Sequence, residues 1–207
     1  MTHTSSYHGR DGSAQCDGLH VVTPKLCVLP FGPMRKKRPV AFFADRVEFQ
    51  LPTSEWVQID YESLGRAMEW AWSKASKGYV TAMQPRPGGG QMTVPLHRWL
   101  FETDAAIVDH IDSNPLNNRL SNLRAATATQ NRANSVKRSD GHLKYIGVKH
   151  DVREGYVLRK PYAARVGKRY IGHFATAEEA AKARDREARR QYGPYAKLNF
   201  PPGGSSC

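Results

Sequence analysis

The chain has 207 residues, 40% of them hydrophobic, which suits one medium domain or two small ones and excludes a large buried core. Its formal net charge of +12 points to a polyanionic partner, with nucleic acid the first choice. No apolar run approaches the ~18 residues of a membrane span, so no membrane partner is expected.

Residues 1–44 read as a poorly organised N-terminal segment. The first twenty are rich in Ser, Thr, His and Gly, and the short apolar stretch Val21–Leu29 that comes next is broken by Pro24 and followed by Pro30 and Pro33. The basic tetrad Arg35, Lys36, Lys37 and Arg38 reads as solvated and mobile. Order is expected from about Arg46. Residues 47–51 alternate like a strand, and Asp60 opens a helical pattern with Leu64, Met68 and Trp72 on one face. Residues 78–84 and 91–94 read as a hairpin around a Pro- and Gly-rich turn at 85–90. Pro95 suits the first turn of a short helix carrying His97, Trp99 and Leu100.

Residues 105–110 read as a strand, 113–121 as an Asn-rich loop and 122–126 as a second strand. Thr127 and Gln130 form a Thr-x-x-Gln capping box for a short helix. The polar stretch 136–143 reads as a linker. Three short strands follow at 145–149, 162–166 and 169–174, with a tight turn at Gly167 and Lys168. Thr176 and Glu179 cap a helix from Ala177 to about Tyr192, which Gly193 and Pro194 stop. Its expected buried stripe is Ala177, Ala180, Ala181, Arg184 and Ala188. Residues 140–207 hold 14 Lys+Arg against 7 Asp+Glu, the more basic part of the chain.

The three cysteines, Cys16, Cys27 and Cys207, form no CxxC pair. A disulfide framework and a zinc site are therefore not expected. The expected location is the cytoplasm of a bacterial or phage-infected cell, or the nucleus if the source is eukaryotic.

The strand–loop–strand–helix stretch carries the chemistry. A strand-end Asp109-His110 pair can face a first-turn helical Asn131. Phosphodiester hydrolysis needs a base for water, and a neutral imidazole serves near pH 7. It also needs a hard cation beside the phosphate, which a carboxylate and an amide oxygen can hold.

The motifs LHRWLF, VDHID, NPLNNRLSNLR and ATATQNRAN occur in that order. Residues 47–134 thereby resemble phage and mobile-element HNH endonucleases, in the variant whose third motif residue is Asn. The resemblance implies that His110 is the general base and that Asp109 and Asn131 ligate one Mg²⁺ or a similar ion such as Mn²⁺. It implies that Asn122 bridges the loop and holds His110, and that the products carry a 5′-phosphate and a 3′-hydroxyl. His97 stands as an accessory residue, either near the metal and DNA or structural. Asn117, Asn118 and Asp112 read as loop formers.

The motifs YIGVKHD, PYAARVGKRYIGHFATAEEAAKARDREARRQYG and AKLNFP make residues 143–201 similar to the AP2 DNA-binding domain of plant regulators and phage endonucleases. That resemblance implies a sheet laid into the major groove. Lys149, Arg165 and Arg169 would meet bases, Tyr162 and Tyr170 would offer flat contacts, and Arg153 and Lys168 would meet phosphate. Tyr162 stands where the family usually has Trp, so the target sequence does not carry over.

The expected fold class is α+β: a ββα-metal HNH unit with a small N-terminal β/α extension, plus a three-stranded antiparallel sheet packed on one helix. The expected division is 45–135, 136–143, 144–201 and a tail at 202–207. The expected partner is double-stranded DNA, bound by a monomer that nicks, or by a dimer. Two other readings stay open: a non-catalytic AP2-type regulator with a vestigial HNH fold, and an RNA-binding protein motivated by charge alone.

Overall fold

The computed structural model describes residues 24–135, 144–152 and 158–202. Its architecture is mixed α and β, with antiparallel sheets and few helices. Strands β1 (Lys25–Phe31), β2 (Lys36–Phe42), β3 (Val47–Gln50) and β4 (Trp56–Ile59) form one sheet in chain order. Phe31, Val40, Val47, Phe49, Val57 and Ile59 are buried together, with the Phe31 and Phe49 rings 5.0 Å apart. The turn from β1 to β2 needs Gly32, which has φ +72. A Cβ there would lie 2.7 Å from the Ala71 amide nitrogen, so no other residue fits without moving backbone.

The expectation of a poorly organised N-terminus is therefore corrected for residues 25–42, which build two strands of the main core. Pro30 lies within β1, and the strand tolerates it because β1 is at the sheet edge, where the position of the missing N–H can face away from the ladder. The basic tetrad is turn and strand, and Arg38 donates to the Trp72 carbonyl at 3.3 Å. Residues 1–23 lie outside the described residues.

A 3-10 turn at Tyr61–Ser63 leads into α1 (Leu64–Met68). Strands β5 (Ser73–Lys74), β6 (Val80–Pro85) and β7 (Gln91–Pro95) form a second sheet, and α2 (Leu96–Leu100) follows with Pro95 as its N-cap. Trp72 lies beyond the helix on which it was expected. It still reaches the core, and its indole donates to the Ala67 carbonyl at 2.6 Å, one of the carbonyls a helix end leaves unpaired. The N-terminal part is thus no small extension, because it holds the larger core.

Next come β8 (Ile107–His110), β9 (Leu123–Ala126) and α3 (Ala128–Asn134). The strands pair antiparallel, placing Asp109 opposite Arg124. Both halves of the Thr127–Gln130 capping box are made. The loop between the strands is tied to the first sheet. Gln58 of β4 donates to the Leu116 carbonyl and accepts from the Asn118 amide, both at 2.8 Å. Asp60 accepts from Arg119 Nε at 3.0 Å and from the Leu120 amide at 2.6 Å. Asp60→Ala removes both bonds to a half-buried carboxylate. A loss of about 1–3 kcal/mol is expected in urea unfolding.

The C-terminal sheet has the order β10 (Val148–His150), β11 (Tyr162–Val166), β12 (Arg169–Phe174), and α4 (Ala177–Tyr192) covers one face. Val148, Ala164, Ala180 and Ala181 form its core. The small alanines let the helix lie close to the sheet. The Thr176–Glu179 capping box is complete, and Gly193 ends the helix at φ +57. The expected linker at 136–143 lies outside the described residues. Among the described residues, no helix is long and apolar enough to cross a membrane.

Candidate active site and nucleic-acid interface

The β8–β9–α3 stretch opens onto a cleft of about 370 Å³, whose lining includes Lys77, Tyr79, Asp109, His110, Ser113, Asn131, Asn134 and Lys197. Asp109 and His110 reach it as the last two residues of β8, and Asn131 from the first turns of α3. Three of the four expected residues therefore share one cavity. Asn122 is not among the residues that line it. Its side chain donates to Asp112 Oδ1 at 2.9 Å and the Asn117 carbonyl at 2.8 Å, and accepts from the Asp112 amide at 3.1 Å. It bridges the loop, but the His110 ring has a different partner.

That partner is Asn118, which is fully buried and whose Oδ1 lies 3.4 Å from His110 Nε2. Asn118 Nδ2 donates to the Pro115 carbonyl at 3.1 Å. This fixes the amide's orientation, since a carbonyl can only accept. The oxygen facing His110 must then accept from Nε2–H, which leaves Nδ1 with the lone pair. Burial lowers the His110 pKa, against the opposing pull of Asn118, Asp112 and Asp109. The imidazole is therefore neutral at pH 7 and available as a base.

Asp109 is held by two residues that the sequence reading did not single out. Arg124 donates to its Oδ2 from Nε at 3.0 Å and Nη2 at 2.8 Å. Asn134 Nδ2 lies 3.0 Å from both carboxylate oxygens and donates to the His110 carbonyl at 2.7 Å. The cross-strand register predicts the Arg124 contact, and the i, i+3 spacing from Asn131 predicts that Asn134 shares its helix face. Among the described residues, Oδ1 of Asp109 accepts only the hydrogen bond of the shared Asn134 amide, which leaves it lone-pair capacity for a further partner. The Asn131 side chain has no hydrogen-bond partner among the described residues. One carboxylate and one amide oxygen suit a hard cation that keeps water and phosphate in its shell, and suit zinc poorly. Among the described residues, no group of three His, Cys, Asp or Glu could hold a metal ion.

His97 sits behind His110, 7% exposed, with its ring 5.0 Å from that of His110 and 5.3 Å from Tyr79. Burial first, then His110 and Arg98, lowers its pKa from 6.5 to about 4. The folded state thus binds fewer protons than the unfolded one. The stability this contributes is fully present above pH 6.5 and is lost as pH falls toward 4, about 3 kcal/mol in all. His97→Phe should flatten the wild-type fall in unfolding free energy between pH 6.5 and 4.5.

On the C-terminal sheet, the face away from α4 carries Lys149, Arg165, Tyr170 and His173 around a second cavity of about 390 Å³. The Arg165 guanidinium carbon lies 5.8 Å from the Tyr170 ring centroid. Lys168 is exposed in the turn. Two expected contacts lie elsewhere. Tyr162 is half-buried against the helix-side core, and Arg169 pairs with Glu187 of α4 at 3.3 Å. Their cross-strand partners explain this, since Tyr162 opposes Phe174 and Arg169 opposes the buried Val166. Asp151 and His173 were missed. They pair at 2.9 Å on the open face, and Asp151 also lies 3.5 Å from Lys149. Arg153 lies outside the described residues.

A family model described as HNH endonuclease matches residues 94–133. Dehydration-responsive element-binding protein 2E of Arabidopsis thaliana is 49% identical over 51 residues, 25% of this chain and 21% of that protein. The 2A protein of the same plant is 38% identical over 62 residues, 30% of this chain and 18% of that protein. The 2E protein of Oryza sativa subsp. japonica is 66% identical over 32 residues, 16% and 10% of the two chains. The chain combines an HNH endonuclease segment with an AP2-type segment. It spans about a fifth or less of the length of these curated relatives. No solved structure matches it. The HNH match contains the whole Asp109, His110, Asn118, Asn122 and Asn131 constellation.

Proposed function

We propose that the chain is a metal-dependent DNA endonuclease that nicks duplex DNA, with the AP2-type segment holding the substrate. The observation that carries this reading is the shared cleft of Asp109, His110 and Asn131, with His110 neutral and oriented. Asp109 and Asn131 are the residues that would hold Mg²⁺ or Mn²⁺; a bound ion would stabilise charge on the phosphate and the departing oxygen. His110 takes the proton of the attacking water through Nδ1. Asn118 fixes the tautomer. Asn122 shapes the loop that presents both, and Arg124 and Asn134 keep the Asp109 carboxylate in place. Hydrolysis then leaves a 5′-phosphate and a 3′-hydroxyl.

Residues 24–135 form the cutting body in this reading and 144–201 the DNA-holding unit. Lys149, Arg165 and Tyr170 face the groove, and Lys168, with Arg153, meets phosphate. One cleft per chain gives a nick from a monomer and a double cut only from two copies. A cutting unit joined to a reading unit is what a site-preferring, homing-type enzyme needs.

The test is relaxation of supercoiled plasmid by the full chain in Mg²⁺ or Mn²⁺, beside His110→Ala. Nicking that vanishes in EDTA and in the variant supports the reading, and equal nicking by both proteins overturns it. A non-catalytic regulator would bind without cutting in either ion. Lys168→Ala should weaken binding and flatten the salt slope by about one. Filter binding across a salt series reads this.

A further inference from the structure

The nuclease cleft has one wall that residues 24–135 do not supply. Lys197 lies beyond α4, in the AP2-type segment, yet it lines the cavity with Asp109, His110 and Asn131. Its Nζ donates to Ser113 Oγ at 3.3 Å, across 84 positions of sequence.

Three anchors hold this stretch against the HNH segment. Arg124 Nη1 donates to the Pro194 carbonyl at 2.9 Å. The Arg124 guanidinium also lies over the Tyr195 ring, 4.1 Å from its centroid. The Tyr195 hydroxyl donates to the Ala125 carbonyl at 2.9 Å. On the other side, buried Arg184 of α4 donates to the Lys197 carbonyl. The Lys197 carbonyl is therefore held by α4 and the residues just before it by the HNH segment, and its side chain reaches Ser113 in the cleft.

The electrostatics of the cleft leave this ammonium free to act. Asp109, the carboxylate of the cavity, is already paired with Arg124. The hydrogen-bond partner of Lys197 in the cleft is a neutral hydroxyl, and among the described residues it has no carboxylate partner. Two of its three donors remain, in a concave site that also carries Lys77. An ammonium so placed favours an anion in the cavity.

We propose that Lys197 binds a phosphate of the DNA strand being cut, so that the AP2-type segment completes the nuclease cleft as well as holding the duplex. This rests on the nuclease reading above. A DNA-holding unit that also supplies a cleft cation couples grip to cutting, because a chain whose C-terminal unit is misplaced lacks that contact.

The experiment compares full-length wild type, Lys197→Met and Lys197→Arg. Duplex binding is measured across a salt series in EDTA, and plasmid nicking is measured in Mg²⁺ at saturating enzyme. Lys197→Met should reduce the slope of log affinity against log salt by about 0.9. It should slow single-turnover nicking about tenfold to a hundredfold. Lys197→Arg should keep the slope and most of the rate. An unchanged slope with a slowed rate would mean that Lys197 only latches the segment to Ser113, and the proposal fails. Unchanged slope and rate also overturn it. If wild type does not nick, the nuclease reading fails; a reduced slope in EDTA would still assign Lys197 to phosphate, and an unchanged one would remove that assignment too.

Discussion

His110→Ala should slow nicking by about 10²–10⁴-fold, the range a positioned general base contributes. The structure favours the upper part of that range. His110 is 5% exposed, so bulk water is a poor substitute for its nitrogen. Removing the buried ring also costs stability, because it leaves a cavity beside Tyr79 and His97 and takes the donor from Asn118 Oδ1, so folding of the variant is checked by circular dichroism and urea unfolding. The Asn118 variants separate orientation from chemistry. Asn118→Ala removes the acceptor that fixes the tautomer and should cost about 10–100-fold, as lost supporting contacts do. Asn118→Asp puts a carboxylate beside Nε2 and favours the imidazolium. Since the base must be neutral, raising its pKa moves the acid limb of the pH–rate profile to higher pH. A profile measured from pH 5 to 9 with single-turnover rates reads this shift. An unmoved limb in Asn118→Asp would separate Asn118 from the working nitrogen.

The elements best read from the sequence depend on neighbours close in the chain. Both capping boxes, Thr127–Gln130 and Thr176–Glu179, join residues three apart, and the turn at 85–90 carries its own Pro and Gly. Contacts that depend on register were harder. Arg124 meets Asp109 because β8 and β9 pair in one register of several that the letters allow. Arg169 and Arg165 both looked like groove residues, yet the irregularity at Ala164/Arg165 and the pairing with Val166 and Tyr170 put them on opposite faces. A single-residue offset suffices for that.

The site itself was legible as a set of residue types, but not in its supporting contacts. Asp109, His110 and Asn131 come from one contiguous motif region, whereas Asn118 and Asn122 are alike on paper. What separates them is the path of the loop. Gln58 of β4 pins the Asn118 backbone, which turns the side chain of Asn118 inward to His110 and leaves Asn122 to bridge Asp112 and Asn117. The first sheet therefore shapes the cleft without lining it. Residues 25–42 escaped notice for a related reason. Pro30 looks like a breaker until the edge position of β1 is known, Pro33 lies in the turn, and Pro39 precedes the part of β2 that pairs with β3.

Asp185→Ala should unfold the C-terminal unit, and it is the substitution with the largest expected effect on stability. Asp185 is buried and accepts from Arg184 Nη1 at 3.1 Å, from the Asn199 amide at 2.7 Å and side chain at 2.9 Å, and from the Phe200 amide at 2.9 Å. Alanine leaves the Asn199 and Phe200 amides without their acceptor and takes one of two acceptors from each of Arg184 Nη1 and Asn199 Nδ2. Arg184 is 3% exposed, and its Nε already lacks a partner among the described residues. Breaking a buried ion pair from one side costs about 3–5 kcal/mol, comparable with the whole stability of a domain this small. The same bonds fix the chain after α4, since Asn199 also receives the Ile146 amide at 2.6 Å. Loss of Asp185 should therefore abolish duplex binding and withdraw Lys197 from the cleft, while the core of β1–β4 stays folded. Denaturant unfolding should then show a missing C-terminal transition with the N-terminal one retained. A single transition lost as a whole would mean that the Arg124–Tyr195 contact joins the two cores into one cooperative unit.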